Sequence, residues 1–122
     1  MAARDLTTVF DRLRTIMVRH ADGLVVVRDE PGDYYLDTRH VRADGYVLMF
    51  GAVQTRARYV SYHLMLLGYA PDRLGASAAL QARMQGKACL NFTRIDDGLF
   101  AELDELTGRA VTASADFAFP AR

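Results

Sequence analysis

Between Leu6 and His20, apolar residues recur at Leu6, Val9, Phe10, Leu13, Ile16 and Met17, the three-and-four spacing that lays one stripe along an α-helix. Asp5 is placed to cap its start and Gly23 to end it. The period then changes. LVVVRDE and DYYLDTR are rich in β-branched and aromatic residues and are separated by Pro31-Gly32, which predicts a hairpin with Tyr34 and Tyr35 on opposite faces of its second strand. After HVRADG, the runs YVLMFGAVQTR and RYVSYHLMLLG predict two long central strands joined by a tight turn near Arg56-Ala57. Gly51, inside the first of them, predicts a bulge or a place where something packs against bare backbone.

Past Gly68, YAPDRLG predicts a turn, and Ser77 is placed to cap a short helix through ALQARMQ that stops at Gly86. KACLNFTRI then alternates, with Ala88, Leu90 and Phe92 on one side and Lys87, Cys89, Asn91 and Thr93 on the other, the pattern of a strand with a core face and a polar face. Asp96 or Asp97 caps a last helix whose stripe is Leu99, Phe100, Leu103, Leu106 and Ala110, and whose end frays into ASADFAFPAR. The order is α-β4-α-β-α. It predicts an α+β two-layer sandwich, in which the N- and C-terminal helices cover one face of a mainly antiparallel, five-stranded sheet. The other face is left for solvent or a partner. No repeat, linker or shift in composition divides residues 1–122, so the expectation is a single domain.

Composition changes this picture little. Apolar residues make up 51% of the chain and charged residues 25%, which is ordinary globular usage. Fifteen basic and fifteen acidic residues cancel, and so a nucleic acid or an anionic membrane is not the expected partner. No apolar run reaches the length of a membrane span. A single cysteine and an N-terminus without an apolar leader predict a reducing, cytoplasmic setting. Lys87 is the only lysine beside fourteen arginines.

No phosphate loop, paired-cysteine motif, zinc-protease helix, nucleophile elbow or dinucleotide fingerprint occurs, so any cofactor is unknown from the sequence. Strand parity supplies what chemistry there is. Tyr59, Ser61 and His63 share one face of their strand, and Lys87, Cys89 and Asn91 share one face of theirs. Val47, Met49 and Gly51 share one face of the strand before them. If these sets meet on the open side of the sheet, they form a shallow ligand site with a thiol, an imidazole, an ammonium and an amide. A histidine beside a cysteine favours the thiolate and permits nucleophilic or redox chemistry. The plainer reading makes Cys89 a small buried hydrophobe and His63 a hydrogen-bonded sheet residue. The six tyrosines, concentrated in the strand half, suggest a ligand platform or a homodimer surface.

The strings MFGAV, YVSYHLM, SAALQARMQGKACLNF and DDGLFAELDELTG resemble the pattern of the YdhG-like domain-of-unknown-function family over Tyr46 to Gly108. The resemblance implies a fold similar to that family and, more distantly, to frataxin, and with it a role in iron handling. Such a role needs hard carboxylate ligands. The first helix carries Arg12, Arg14 and Arg19 against Asp11, which leaves Asp29, Glu30 and Asp33 at the first hairpin turn as the metal candidates. The leading expectation is a non-enzymatic domain that binds a small molecule or a second copy through its open sheet face. Iron handling and Cys89-dependent thiol chemistry or redox sensing are the alternatives.

Overall fold

A computed structural model describes residues 6–69 and 74–117. The chain is an α+β domain built on an open antiparallel sheet of six strands in the order β1-β2-β3-β4-β6-β5. Helix α1 (Leu6–Arg19) precedes β1 (Val25–Glu30), β2 (Asp33–Val41), β3 (Val47–Thr55) and β4 (Val60–Leu64). Helices α2 (Met65–Tyr69) and α3 (Ala78–Gln81) follow, then β5 (Met84–Gln85), β6 (Cys89–Phe92) and α4 (Asp97–Ala115).

The stripe predicted for α1 is the one it buries, with Val9, Phe10, Leu13, Ile16 and Met17 all in the core. Helix α4 lies in the same layer and contributes Phe100, Leu103, Leu106 and Ala110. Its N-cap is Asp96, whose carboxylate accepts from the Leu99 N–H at 3.0 Å and satisfies one of the donors that a helix start leaves open. Below the helices, Tyr34, Leu36, Leu48, Phe50, Val53, Tyr62, Leu64, Leu90 and Phe92 seal the covered face of the sheet. Each such side chain contributes about 1.5–3 kcal/mol by leaving water. One polar pair is built into this layer: the Tyr62 hydroxyl meets Thr107 Oγ1 at 2.6 Å, and Thr107 donates on to the Leu103 carbonyl. Asp104 ties the helix layer together from outside by bonding both Arg19 and His20.

Three expectations are corrected. The run RYVSYHLMLLG is a strand only as far as Leu64 and then becomes α2, because Leu66 and Leu67 are adjacent and both buried, which a helical turn permits and an alternating strand does not. The helix capped by Ser77 does not continue to Gly86. It ends at Gln81, and Met84-Gln85 form β5, paired with Leu90 and Cys89 across a turn in which Gly86 takes φ +79°. The sheet therefore has six strands where five are expected. Third, Met49 and Gly51 do not share a face. The register slips so that Gly51 pairs with Leu36 and Met49 with Asp37, leaving Phe50 as an extra residue and turning the Gly51 Cα toward Met17 of α1.

That bulge lies at the predicted glycine, for a visible reason. A Cβ on Gly51 would fall 2.4 Å from the His63 carbonyl oxygen of the neighbouring strand, inside any tolerable contact. The Pro31-Gly32 hairpin, the opposite orientation of Tyr34 and Tyr35, and the α1 boundaries follow the sequence pattern closely. The predicted cap Asp5 and the tail beyond Phe117 lie outside the described residues.

Candidate functional site

The uncovered face of the sheet is a set of cross-strand rows. Antiparallel pairing puts directly opposed residues on the same side, so the registers identify the rows without ambiguity. One row runs Arg28, Tyr35, Ala52, His63, Cys89, Gln85, and the next runs Asp33, Gln54, Ser61, Asn91. Both are held mainly by polar contacts. Arg28 lies 4.5 Å over the Tyr35 ring and bonds Asp33 at 2.7 Å, Gln54 donates to Asp33 at 3.1 Å, and Asn91 donates to Gln85 at 2.5 Å.

At the centre of the first row, His63 Nδ1 and Cys89 Sγ are 2.7 Å apart. The two residues are direct cross-strand partners on β4 and β6. Burial lowers the His63 pKa below its ordinary value, so the imidazole is neutral at pH 7. In that state the Cys89 S–H donates to Nδ1, and the second ring nitrogen, Nε2, carries a hydrogen with no partner in the structure. In this tautomer Nδ1 can take up the thiol proton.

The other candidates divide. Ser61 and Asn91 face each other one row away, with Ser61 only 7% exposed. Tyr59 precedes β4, and its carbonyl closes the β3–β4 turn by accepting from the Arg56 N–H, so it stands at the end of the face. Lys87 is exposed in the β5–β6 turn and lines a groove with Leu67, Gly68, Ala76, Met84 and Gly86, away from the thiol row. Gln85 escaped the sequence reading because it was assigned to a helix. Its signal was available: Met84-Gln85 and Ala88-Cys89 flank Gly86-Lys87 as two short alternating runs about a turn residue.

The carboxylates of the first hairpin turn are committed elsewhere. Asp29 takes a two-pronged bond from Arg14, at 3.0 and 2.6 Å, and this guanidinium holds its pKa below the usual carboxylate range. Asp33 is shared between Arg28 and Gln54, and Glu30 is exposed. Among the described residues, no three His, Cys, Asp or Glu side chains converge as a metal site. The tyrosines do not form one platform: Tyr34 and Tyr62 are in the core, Tyr35 lies under Arg28, and Tyr46 and Tyr69 are exposed. No helix of the described residues is long and apolar enough to cross a membrane.

Fold and site together define an α+β domain that carries a thiol–imidazole pair on the uncovered side of an antiparallel sheet. No family model, no curated protein and no solved structure matches the chain.

Proposed function

We propose that this domain is a redox-responsive thiol protein of the cytoplasm, in which Cys89 reacts stoichiometrically with a small hydroperoxide and His63 acts as its base. The supporting observation is the 2.7 Å Sγ···Nδ1 contact between cross-strand partners on the face opposite α1 and α4. The thiolate is the reactive form of cysteine. As Sγ attacks the peroxide, His63 Nδ1 takes the thiol proton, an S–O bond forms and the O–O bond breaks. The leaving oxygen departs, after collecting that proton, as water from hydrogen peroxide or as an alcohol from an organic hydroperoxide, and Cys89 is left as a sulfenic acid. Sulfur is oxidised and the peroxide is reduced. This reading takes up the Cys89-dependent redox-sensing alternative in place of the leading expectation of ligand binding or self-association through the open face. The resemblance to YdhG-like domains adds no chemistry to it.

The test is dimedone trapping after hydrogen peroxide treatment, followed by intact mass. One adduct is expected on the wild type and none on Cys89→Ser. His63→Ala should slow its formation about tenfold or more, within the range that positioned bases supply. An unchanged rate in His63→Ala sinks the proposal.

A further inference from the structure

The positive charges of this chain are sorted in space. Arg12, Arg14, Arg19, Arg28 and Arg42 each pair with a carboxylate, respectively Asp97, Asp29, Asp104, Asp33 and Asp44. Arg39 and Arg109 donate to the backbone carbonyls of Gly23 and Leu74. The remaining described cations are Arg56, which donates to Gln54 Oε1 at 2.7 Å, and Arg58, Arg83, Lys87 and Arg94; all are exposed, and none is within pairing distance of a carboxylate of the described residues. All five belong to the β3–β4 turn or to the β5–β6 hairpin and its flanks.

Arg83, Lys87 and Arg94 follow the β5–β6 hairpin at the sheet edge, and Arg56 and Arg58 lie in the β3–β4 turn. Arg58 and Arg94 each lie two residues beyond the Val60–Phe92 pair, at the same end of the sheet. Arg83 shares a small groove with Phe92, Arg94 and Asp96, and its carbonyl accepts from the Asn91 N–H at 2.9 Å. The Asp96 carboxylate in that groove is engaged in capping α4, and Asp97 beyond it faces Arg12. Lys87 marks the other end of the β5–β6 hairpin. From Arg94 to Lys87 the strip spans roughly 20 Å at about 3.3 Å per strand residue.

We infer that the β5–β6 edge is a docking strip for an acidic, extended peptide segment of a partner protein. Charge complementarity carries the inference: on a chain whose formal net charge is zero, Arg12, Arg14, Arg19 and Arg28 are each ion-paired, whereas Arg83, Lys87 and Arg94 are three cations without an ion pair among the described residues, against the single Asp96 carboxylate in the groove of Arg83 and Arg94. The cations are spread along a strand and do not converge, which suits carboxylates repeating along an extended chain better than one compact phosphate. A long nucleic acid fits less well, because the chain as a whole is neutral and exposes Asp11, Asp22, Glu30 and Glu105 on other surfaces. Steering by exposed charges acts on association and weakens with salt. The strip does not require the thiol reading, since none of the five cations takes part in the His63–Cys89 pair.

The experiment uses the full chain carrying Cys89→Ser, which separates docking from thiol reactivity, and a fluorescent peptide of about seven residues alternating glutamate and serine, matched to the strip length. Anisotropy at low ionic strength should show saturable binding that added salt weakens. The triple variant R83E/K87E/R94E should bind about tenfold more weakly or worse, while R12E on the helix layer should bind as the parent does. Amide shifts of the parent chain on titration should concentrate at residues 83–94, a readout that does not depend on the variants folding. Absence of binding, shifts centred elsewhere, equal binding by the triple variant, or equally tight binding of a heptathymidylate would each overturn the inference.

Discussion

Tyr34, Leu36, Val53, Tyr62 and Leu64 on the helix-covered face are at most 2% exposed, whereas the neighbouring positions of the same strands on the other face are Tyr35, Asp37, Gln54, Ser61 and His63. On the covered side, space is filled mainly by carbon, and the buried Tyr62 and Thr107 hydroxyls find partners inside: Tyr62 meets Thr107, which donates to the Leu103 carbonyl. On the other side, polar side chains bond one another along cross-strand rows, and they range from Ser61, 7% exposed, to the exposed Gln85. The lesson is a division of labour within single strands: alternate residues hold the fold, and the residues between them are free to carry chemistry. The half-buried Asp37 illustrates the intermediate case, since burial raises its pKa while the nearby Arg28 charge pulls it down.

Gly51 is where the two faces depend on each other most, because its bulge sets which residues of β3 face which side. Gly51→Val should destabilise the domain by about 4 kcal/mol, since its Cβ would meet the His63 carbonyl at 2.4 Å and backbone must yield. Urea unfolding followed by circular dichroism measures it, and a loss under about 1 kcal/mol would show that the close approach is not a constraint. Next in size, Leu13→Ala in the wholly buried stripe of α1 should cost about 3 kcal/mol, whereas Cys89→Ser on the other face should cost less than about 1 kcal/mol. Comparable losses from the two would erase the contrast.

Tyr62→Phe is expected to cost only about 1 kcal/mol. It removes the hydroxyl that meets Thr107, but Thr107 keeps its bond to the Leu103 carbonyl, so no donor is stranded.

The smallest effect concerns pH. The folded His63 pKa is lowered by burial, so below about 6.5 the unfolded chain binds a proton that the folded chain resists. Stability therefore falls as pH drops through that region and down to the folded pKa. His63→Ala should flatten this part of the profile relative to wild type, in urea midpoints measured from pH 7.5 to about 5. Superimposable slopes would mean that burial of the ring contributes nothing to folding linkage.

Much of the covered face was readable from the residues. The stripes of α1 and α4, the Pro31-Gly32 hairpin and the glycine bulge are local features in which spacing and turn chemistry point the same way. The errors arose where two local patterns compete. RYVSYHLMLLG reads as one long strand until Leu66 and Leu67 are both required by the core, and ALQARMQ reads as one helix until Met84-Gln85 find a strand partner. Parity across Gly51 failed because one inserted residue exchanges the two sides of a strand.

The candidate site was readable only in its ingredients. The placement of His63 and Ser61 on one side of β4, and of Cys89 and Asn91 on one side of β6, follows from alternation alone. That His63 stands opposite Cys89, across 26 positions of sequence, was decided by β6 pairing with β4 while β5 takes the sheet edge. The sorting of paired and unpaired arginines is likewise tertiary, because it depends on which carboxylates the helices and the first hairpin bring alongside. Periodicity is a property of a few consecutive residues, and so the chain itself determined its elements and the side each residue takes. The pairing of distant strands is settled by how the whole core closes, and only that closure brought thiol to imidazole and left the β5–β6 edge with unmatched charge.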